Sequence, residues 1–151
     1  DAPKFFILKS YSWRFDGTIK SLKFRKLGVI EGYNYREDFD NYVLNTKSIY
    51  VQIAKDDHAL ETNIRKLLAK RIDTLIESES VFKAKLKQLN LEGKFQEAGS
   101  IIDPVHMYLA CSPNAPNSKY YTKIVDRYMT VLRKNGRLQE ILDRYGLKDW
   151  Q

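Results

Sequence analysis

The sequence predicts an α/β domain on a mainly parallel sheet, finished by a pair of helices. Three observations carry that expectation. Short apolar runs alternate with amphipathic segments from Phe5 to Leu89. Tyr35, Phe39, Tyr42 and Val43 fall at i, i+4, i+7 and i+8, the spacing of a helix with one apolar face. A Pro- and Asn-rich stretch, Ser112 to Ser118, then separates this body from a helical tail. The 151 residues suit one domain or one domain with an appendage, and 43% hydrophobic with 30% charged residues excludes wholesale disorder. No apolar run approaches the ~18 residues of a membrane span.

Phe5 to Leu8, inside KFFILK, reads as an isolated first strand before the turn-rich Ser10 to Gly17. Leu27 to Ile30 is a second short strand, followed by Gly32 and the helix of Tyr35 to Val43. Ile49 to Ala54 has strand character. Asp56 and Asp57 then precede Leu60, Ile64, Leu67 and Leu68, with acidic groups where a helix amino terminus favours them. Ile72 to Ile76 is a third strand of the body, Val81 to Leu89 a basic helix, and Asn90 to Gly93 a break. Val105 to Cys111 reads as a returning strand. Beyond the linker, Tyr121, Ile124, Val125, Tyr128 and Leu132 form a helical stripe up to Gly136, expected to be covered by something, and Leu138 to Tyr145 a second helix ending at Gly146.

Several chemistries are set aside. His58, His106 and Cys111 lack the paired spacings of a zinc site, so no metal and no other cofactor is expected. His106 and Cys111, five apart on one strand, would point to opposite faces, and Cys111 reads as a packed thiol. GVIEGYNY, from Gly28 to Tyr35, has neither GxGxxG spacing nor a Walker lysine. The net charge of +7 concentrates at the start: Lys4, Lys9, Arg14, Lys20, Lys23, Arg25 and Lys26 face only Asp1 and Asp16 within the first 30 residues. Ten tyrosines among basic groups raise a nucleic-acid reading, but Tyr42, Tyr121 and Tyr128 fall on helix core faces and the basic residues form no single stripe, so no nucleic acid is expected.

What remains is positional. Gly32, Tyr33, Asn34 and Tyr35 leave the carboxyl end of a strand and open a helix whose free N–H groups can receive an anion or a carbonyl. Glu77, Ser78 and Glu79 end the third strand of the body, and in an open α/β sheet both ends face one crevice where ligands bind. As a carboxylate pair, Glu77 and Glu79 fit a solvated strand end better than acid/base catalysis. A capped helix with ordinary surface tyrosines is the alternative to a ligand crevice here, and with no catalytic constellation in view no enzyme is expected.

Taken in order, FFILKSYSW, SLKFRKLGVIEGYNY, LLAKRIDTLIESES, VHMYLACSP and VDRYMTVLRKNGRLQEILDRYGLKDW resemble the bacterial extracellular solute-binding proteins of the family 3 type, the amino-acid class of ABC transporter receptors. The resemblance runs from about Phe5 to Trp150. It implies a periplasmic-binding-protein type II lobe, with residues 1–26 as crossing strand and lead-in. Residues 27–111 would form the second lobe and its returning strand, and residues 112–151 the linker and helices that pack on a first lobe largely missing here. It implies a small polar, amino-acid-like solute clamped between two lobes and passed to a membrane permease. A periplasmic or extracellular location with a removed signal peptide goes with it, and the start at Asp1 fits processing. A ligand-sensing module of a signalling receptor is the alternative use of the same clamp. The implied ligand-binding residues are Gly32, Tyr33, Asn34 and Tyr35, with Glu77 and Ser78. Ser78 falls where the family carries the aspartate that meets the ligand's ammonium, a charge that Glu77 or Glu79 would supply by a small shift. With the first lobe missing, the uncovered helical stripe implies a homo-oligomer or a domain swap.

Overall fold

The computed structural model describes residues 2–103 and 108–150. Five strands, β1 (Pro3–Leu8), β2 (Leu27–Ile30), β3 (Val51–Ala54), β4 (Thr74–Ser78) and β5 (Phe95–Ser100), form one sheet in the order β3-β2-β4-β1-β5. Helices α1 (Glu37–Asn45), α2 (Ala59–Leu68) and α3 (Glu79–Gln88) fill the connections. β2 runs parallel to both β3 and β4, with Leu27 opposite Val51 on one side and Thr74 on the other. This is the parallel part that the alternating pattern predicts.

Alternation along each strand divides the core between the two faces of the sheet. Phe5 and Ile7 of β1 pack with Val29, Ile76 and Phe39 of α1. Phe6 and Leu8 pack with Leu60, Ile64 and Leu67 of α2 and with Phe82 and Leu86 of α3. Consecutive crossovers thus cover opposite faces, as right-handed connections require when the chain steps outward from β2 to β3 and then back past it to β4. α2 lies very close to β2: a Cβ at Gly28 would sit 2.6 Å from Ile72 Cδ1 and 3.0 Å from Asn63 Oδ1. A side chain there would have to displace both, and its absence leaves Asn63 Nδ2 free to donate to the Val29 carbonyl at 3.0 Å.

Three expectations change. β1 is not isolated: it is paired on both edges, antiparallel to β4 and to β5, and makes the sheet mixed. β5 was not expected at all, because Phe95–Ser100 buries only Phe95 and Ala98, three apart, which breaks the period of two. A register shift opposite Lys4 to Phe6 explains the missing period, and Gly99, at φ +113, passes 2.9 Å (as an ideal Cβ) from the Phe15 carbonyl. The basic helix begins two residues earlier than predicted, at Glu79, leaving no loop after β4. The expected strand Val105 to Cys111 lies partly outside the described residues, and Tyr108 to Cys111 are in neither helix nor strand.

The second compact unit starts at His106. It holds α4 (Ser118–Lys134) and α5 (Arg137–Asp143), joined through Gly136 in the left-handed region. Leu138 is buried, Arg133 pairs with Asp149 at 2.8 Å and its guanidinium lies over the Trp150 ring. The stripe predicted on α4 exists, but it is not covered within the described residues: Tyr121 is 53% and Tyr128 58% exposed. Those two tyrosines, expected on a core face, are therefore surface groups.

Candidate functional site

The carboxyl ends of β2 and β4 are neighbours because the strands are paired, so whatever follows Ile30 and Ile76 converges at one end of the sheet. After β2 the chain turns at Gly32, φ +79, a conformation in which glycine is the default residue. Tyr33 and Asn34 are exposed on this loop. Tyr35 tucks inward against Phe39, their rings perpendicular at 5.2 Å, and the Tyr33 ring lies 6.1 Å from that of Tyr35. The Asp40 carboxylate accepts the Tyr35 backbone N–H with both oxygens at 3.2 Å, which fixes the loop against the first turn of α1. Arg36 adds a second tie: it pairs with Asp38 and donates to the Ile101 carbonyl at 2.7 Å.

From the other strand comes Glu77, a carboxylic acid only 2% exposed. Its Oε1 accepts the Ser78 N–H at 2.7 Å, while its Oε2 is buried without a hydrogen-bond partner. The Tyr35 hydroxyl is buried and partnerless too. Such groups each cost about 1 to 3 kcal/mol, so two at one end of one sheet mark a place where the fold forgoes stability. Burial raises the Glu77 pKa above the usual carboxylate range, the Ser78 N–H only partly opposing it. The Glu77 charge raises the Tyr33 hydroxyl, and burial first and Glu77 second push the Tyr35 hydroxyl far up. Both tyrosines therefore stand in the field of Glu77.

Of the six residues expected to bind ligand, the structure brings Tyr33, Tyr35 and Glu77 into one electrostatic cluster and sets Ser78 beside them, its Oγ 3.0 Å from that of Ser80. Gly32 and Asn34 lie on the loop rim. The first turn of α1 carries Glu37, Asp38 and Asp40, and Asp38 Oδ1 accepts the Phe39 N–H at 2.8 Å, so this helix end draws an anion less than a bare one would. The cluster is acidic, and a cation suits it.

Glu79 is not a second open acid. Lys4 of β1 pairs with both Glu79 and Glu97, and Lys83 pairs with Glu79 one turn along α3. Burial opposes the ionised form of Glu79, but hydrogen bonds from Lys4 and Lys83 outweigh it and hold its pKa at about 2. The Lys4 pairing and the Asp40 cap are what sequence reasoning missed. Lys4 lies 75 residues from Glu79, so only the β1 register reveals it; Asp40, five residues from Tyr35, was readable as a capping carboxylate.

A cavity of about 450 Å³ lies elsewhere, lined by Ser10, Tyr11, Ser12, Trp13, Arg25 and Asp73. Arg25 and Asp73 precede β2 and β4, which places it at the amino end of the parallel strands, away from Glu77. It contains none of the buried partnerless polar atoms. Among the described residues there is no group of three or more histidines, cysteines and acids placed to hold a metal ion, and no helix is long and apolar enough to cross a membrane.

A mixed α/β lobe with its parallel strands ending in one cluster of side chains is the class that this fold defines. No family model matches the sequence, and no curated protein matches it. Solved structures do. The second substrate-binding domain of a putative amino acid ABC transporter from Streptococcus pneumoniae is 18% identical with a TM-score of 0.54, over 95% of this chain and 60% of that one. Substrate-binding domain 2 of GlnP from Lactococcus lactis, in an open conformation, is 21% identical with a TM-score of 0.53, over 98% of this chain and 59% of that one. A polar amino acid ABC uptake transporter substrate-binding protein from Streptococcus thermophilus is 14% identical with a TM-score of 0.57, over 95% and 53%. The chain shares the fold of substrate-binding domains of amino acid ABC transporters, and it spans about 60% of the length of the first such structures.

Proposed function

We propose that this chain is the second lobe and C-terminal helices of a solute-binding protein, outside the cytoplasm, that closes with a first lobe on an amino-acid-like solute and presents it to a transporter permease. The domain boundaries are those of the sequence reading: a crossing segment over 1–26, the lobe over 27–111 and the tail over 112–151. The observation that carries the proposal is Glu77, buried with one oxygen lacking a hydrogen-bond partner at the carboxyl end of the sheet, where its charge is felt by Tyr33 and Tyr35. An ammonium group brought there supplies the missing partner, favours the ionised form of Glu77 and gains from the π-faces of Tyr33 and Tyr35. Glu77 thereby takes the role that the family gives to an aspartate at the position of Ser78. The shared fold supports a binding role and a permease partner, and nothing in the site calls for bond-making chemistry.

One lobe offers roughly half the contacts of a closed clamp, so amino acids should bind this chain in the millimolar range. Nuclear magnetic resonance titration of the labelled chain with L-amino acids tests the reading. The amides of Gly32, Tyr33, Asn34, Tyr35, Glu77 and Ser78 should shift together. If all six stay unmoved at roughly tens of millimolar ligand while amides around Trp13 and Asp73 respond, the site has been placed at the wrong end of the sheet.

A further inference from the structure

The amino end of β2 carries a second feature, which the solute site does not use. Phe24 is 70% exposed, and its φ of +64 places it in the left-handed region that bulky side chains avoid. Of the four non-glycine residues with positive φ among the described residues, it is the one apolar member. Strain of this kind persists where the surroundings enforce it, and it concentrates at functional positions. Lys23 Nζ stands 5.0 Å from the centre of the Phe24 ring, and Tyr50 meets that ring edge-on at 6.2 Å.

The charge carried by the segment around Phe24 is of one sign. Lys20, Lys23, Arg25 and Lys26 are exposed, and none of their side chains forms an ion pair among the described residues. No acid occurs between residues 17 and 30. Two carboxylates flank the segment, Asp16 accepting from Thr18 and Asp73 from the Lys26 backbone N–H, and against the four cations they leave the corner an excess of two positive charges.

We propose that this corner, Phe24 with Lys23 against its ring and Lys20, Arg25 and Lys26 close by in the chain, docks the lobe on an anionic phospholipid surface. A projecting apolar ring within a cluster of cations combines the two signals that interfacial attachment needs, buried apolar area and attraction to anionic headgroups. A shaped acidic protein is a poorer occupant. One ring buries about 150 to 250 Å², against the ~800 Å² a protein partner usually covers. Lysines, as flexible point charges, demand no fixed acceptor geometry and suit a fluid surface. The corner lies about 13 Å from Gly32 along β2, so docking leaves the solute site free.

Co-sedimentation of the full chain with vesicles tests this, using phosphatidylcholine alone and phosphatidylcholine with one-third phosphatidylglycerol. The chain should partition onto the anionic vesicles only, and less at high salt. Each lysine removed, as Lys20→Ser or Lys23→Ser, should weaken partition about five-fold, whereas Lys119→Ser on α4 should leave it unchanged. Phe24→Gly should weaken partition and raise the melting temperature, since glycine relieves the positive φ; that pairing separates a docking residue from a folding one. Equal partition on both vesicles, none on either, or full partition by the Lys20→Ser, Lys23→Ser double variant would overturn the proposal. So would binding to polyglutamate, but not to vesicles, with the same residue dependence, which would make the corner a protein-docking patch.

Discussion

Two carboxylic acids stand two residues apart where β4 passes into α3, and they meet opposite surroundings. Glu77 is buried, half satisfied and raised in pKa; Glu79 is held by two lysines and lowered to about 2. The strand-end cluster of Glu77, Tyr33 and Tyr35 and the ion-pair cluster of Lys4, Glu79, Lys83 and Glu97 differ in how deeply the acid is buried and in whether its charge already has a partner within the chain. A satisfied charge holds the fold together, whereas an unsatisfied buried one lowers stability; the proposed function gives the second a ligand to meet.

Removing Lys4 should break the comparison from the structural side, with the largest effect. Lys4→Met strips partly buried Glu79 and Glu97 of their shared cation, and chemical denaturation should register a loss of about 1 to 3 kcal/mol. Acting on the other acid should have the opposite sign: Glu77→Gln removes a buried charge lacking a full partner and should stabilise the chain by about 1 kcal/mol near neutral pH. Acidity should separate the two as well. Because the folded pKa of Glu79 lies below its ordinary value of 4.5, its stabilising contribution is present above that value and is lost as pH falls through about 2. Because the folded pKa of Glu77 lies above 4.5, the folded state holds that proton more tightly, and the penalty of charging it grows as pH rises from 4.5 through its raised value. Stability measured against pH should therefore show the Glu77→Gln advantage opening above the ordinary carboxylate range and the Glu79→Gln deficit closing below it. The smallest effect on stability belongs to Asn34→Ala. That exposed loop residue should change unfolding by less than about 0.5 kcal/mol.

The same contrast explains what the sequence disclosed. The crossover units were legible because Leu60, Ile64 and Leu67 repeat at the helical period and all three are buried as that period requires. The grouping of Tyr33, Tyr35 and Glu77 was legible because strand ends in an α/β sheet converge by topology. Lys4 was not, since its meaning depends on β1 pairing with segments 75 and 93 residues away. β5 escaped for a related reason: its bulge erases the alternation by which strands are recognised. The acidic first turn of α1 was visible as Glu37, Asp38 and Asp40, and it weakens the pull that a helix amino terminus has on an anion.

The central claim is that Glu77 awaits a ligand and Glu79 does not. Paired measurements of unfolding free energy and amino-acid titration on Glu77→Gln and Glu79→Gln test it most directly. The account predicts a crossed result: Glu77→Gln more stable than the parent chain and unable to shift the Gly32 to Tyr35 amides with ligand, Glu79→Gln less stable and still responsive. A Glu77→Gln chain that loses stability and binds as before would contradict it.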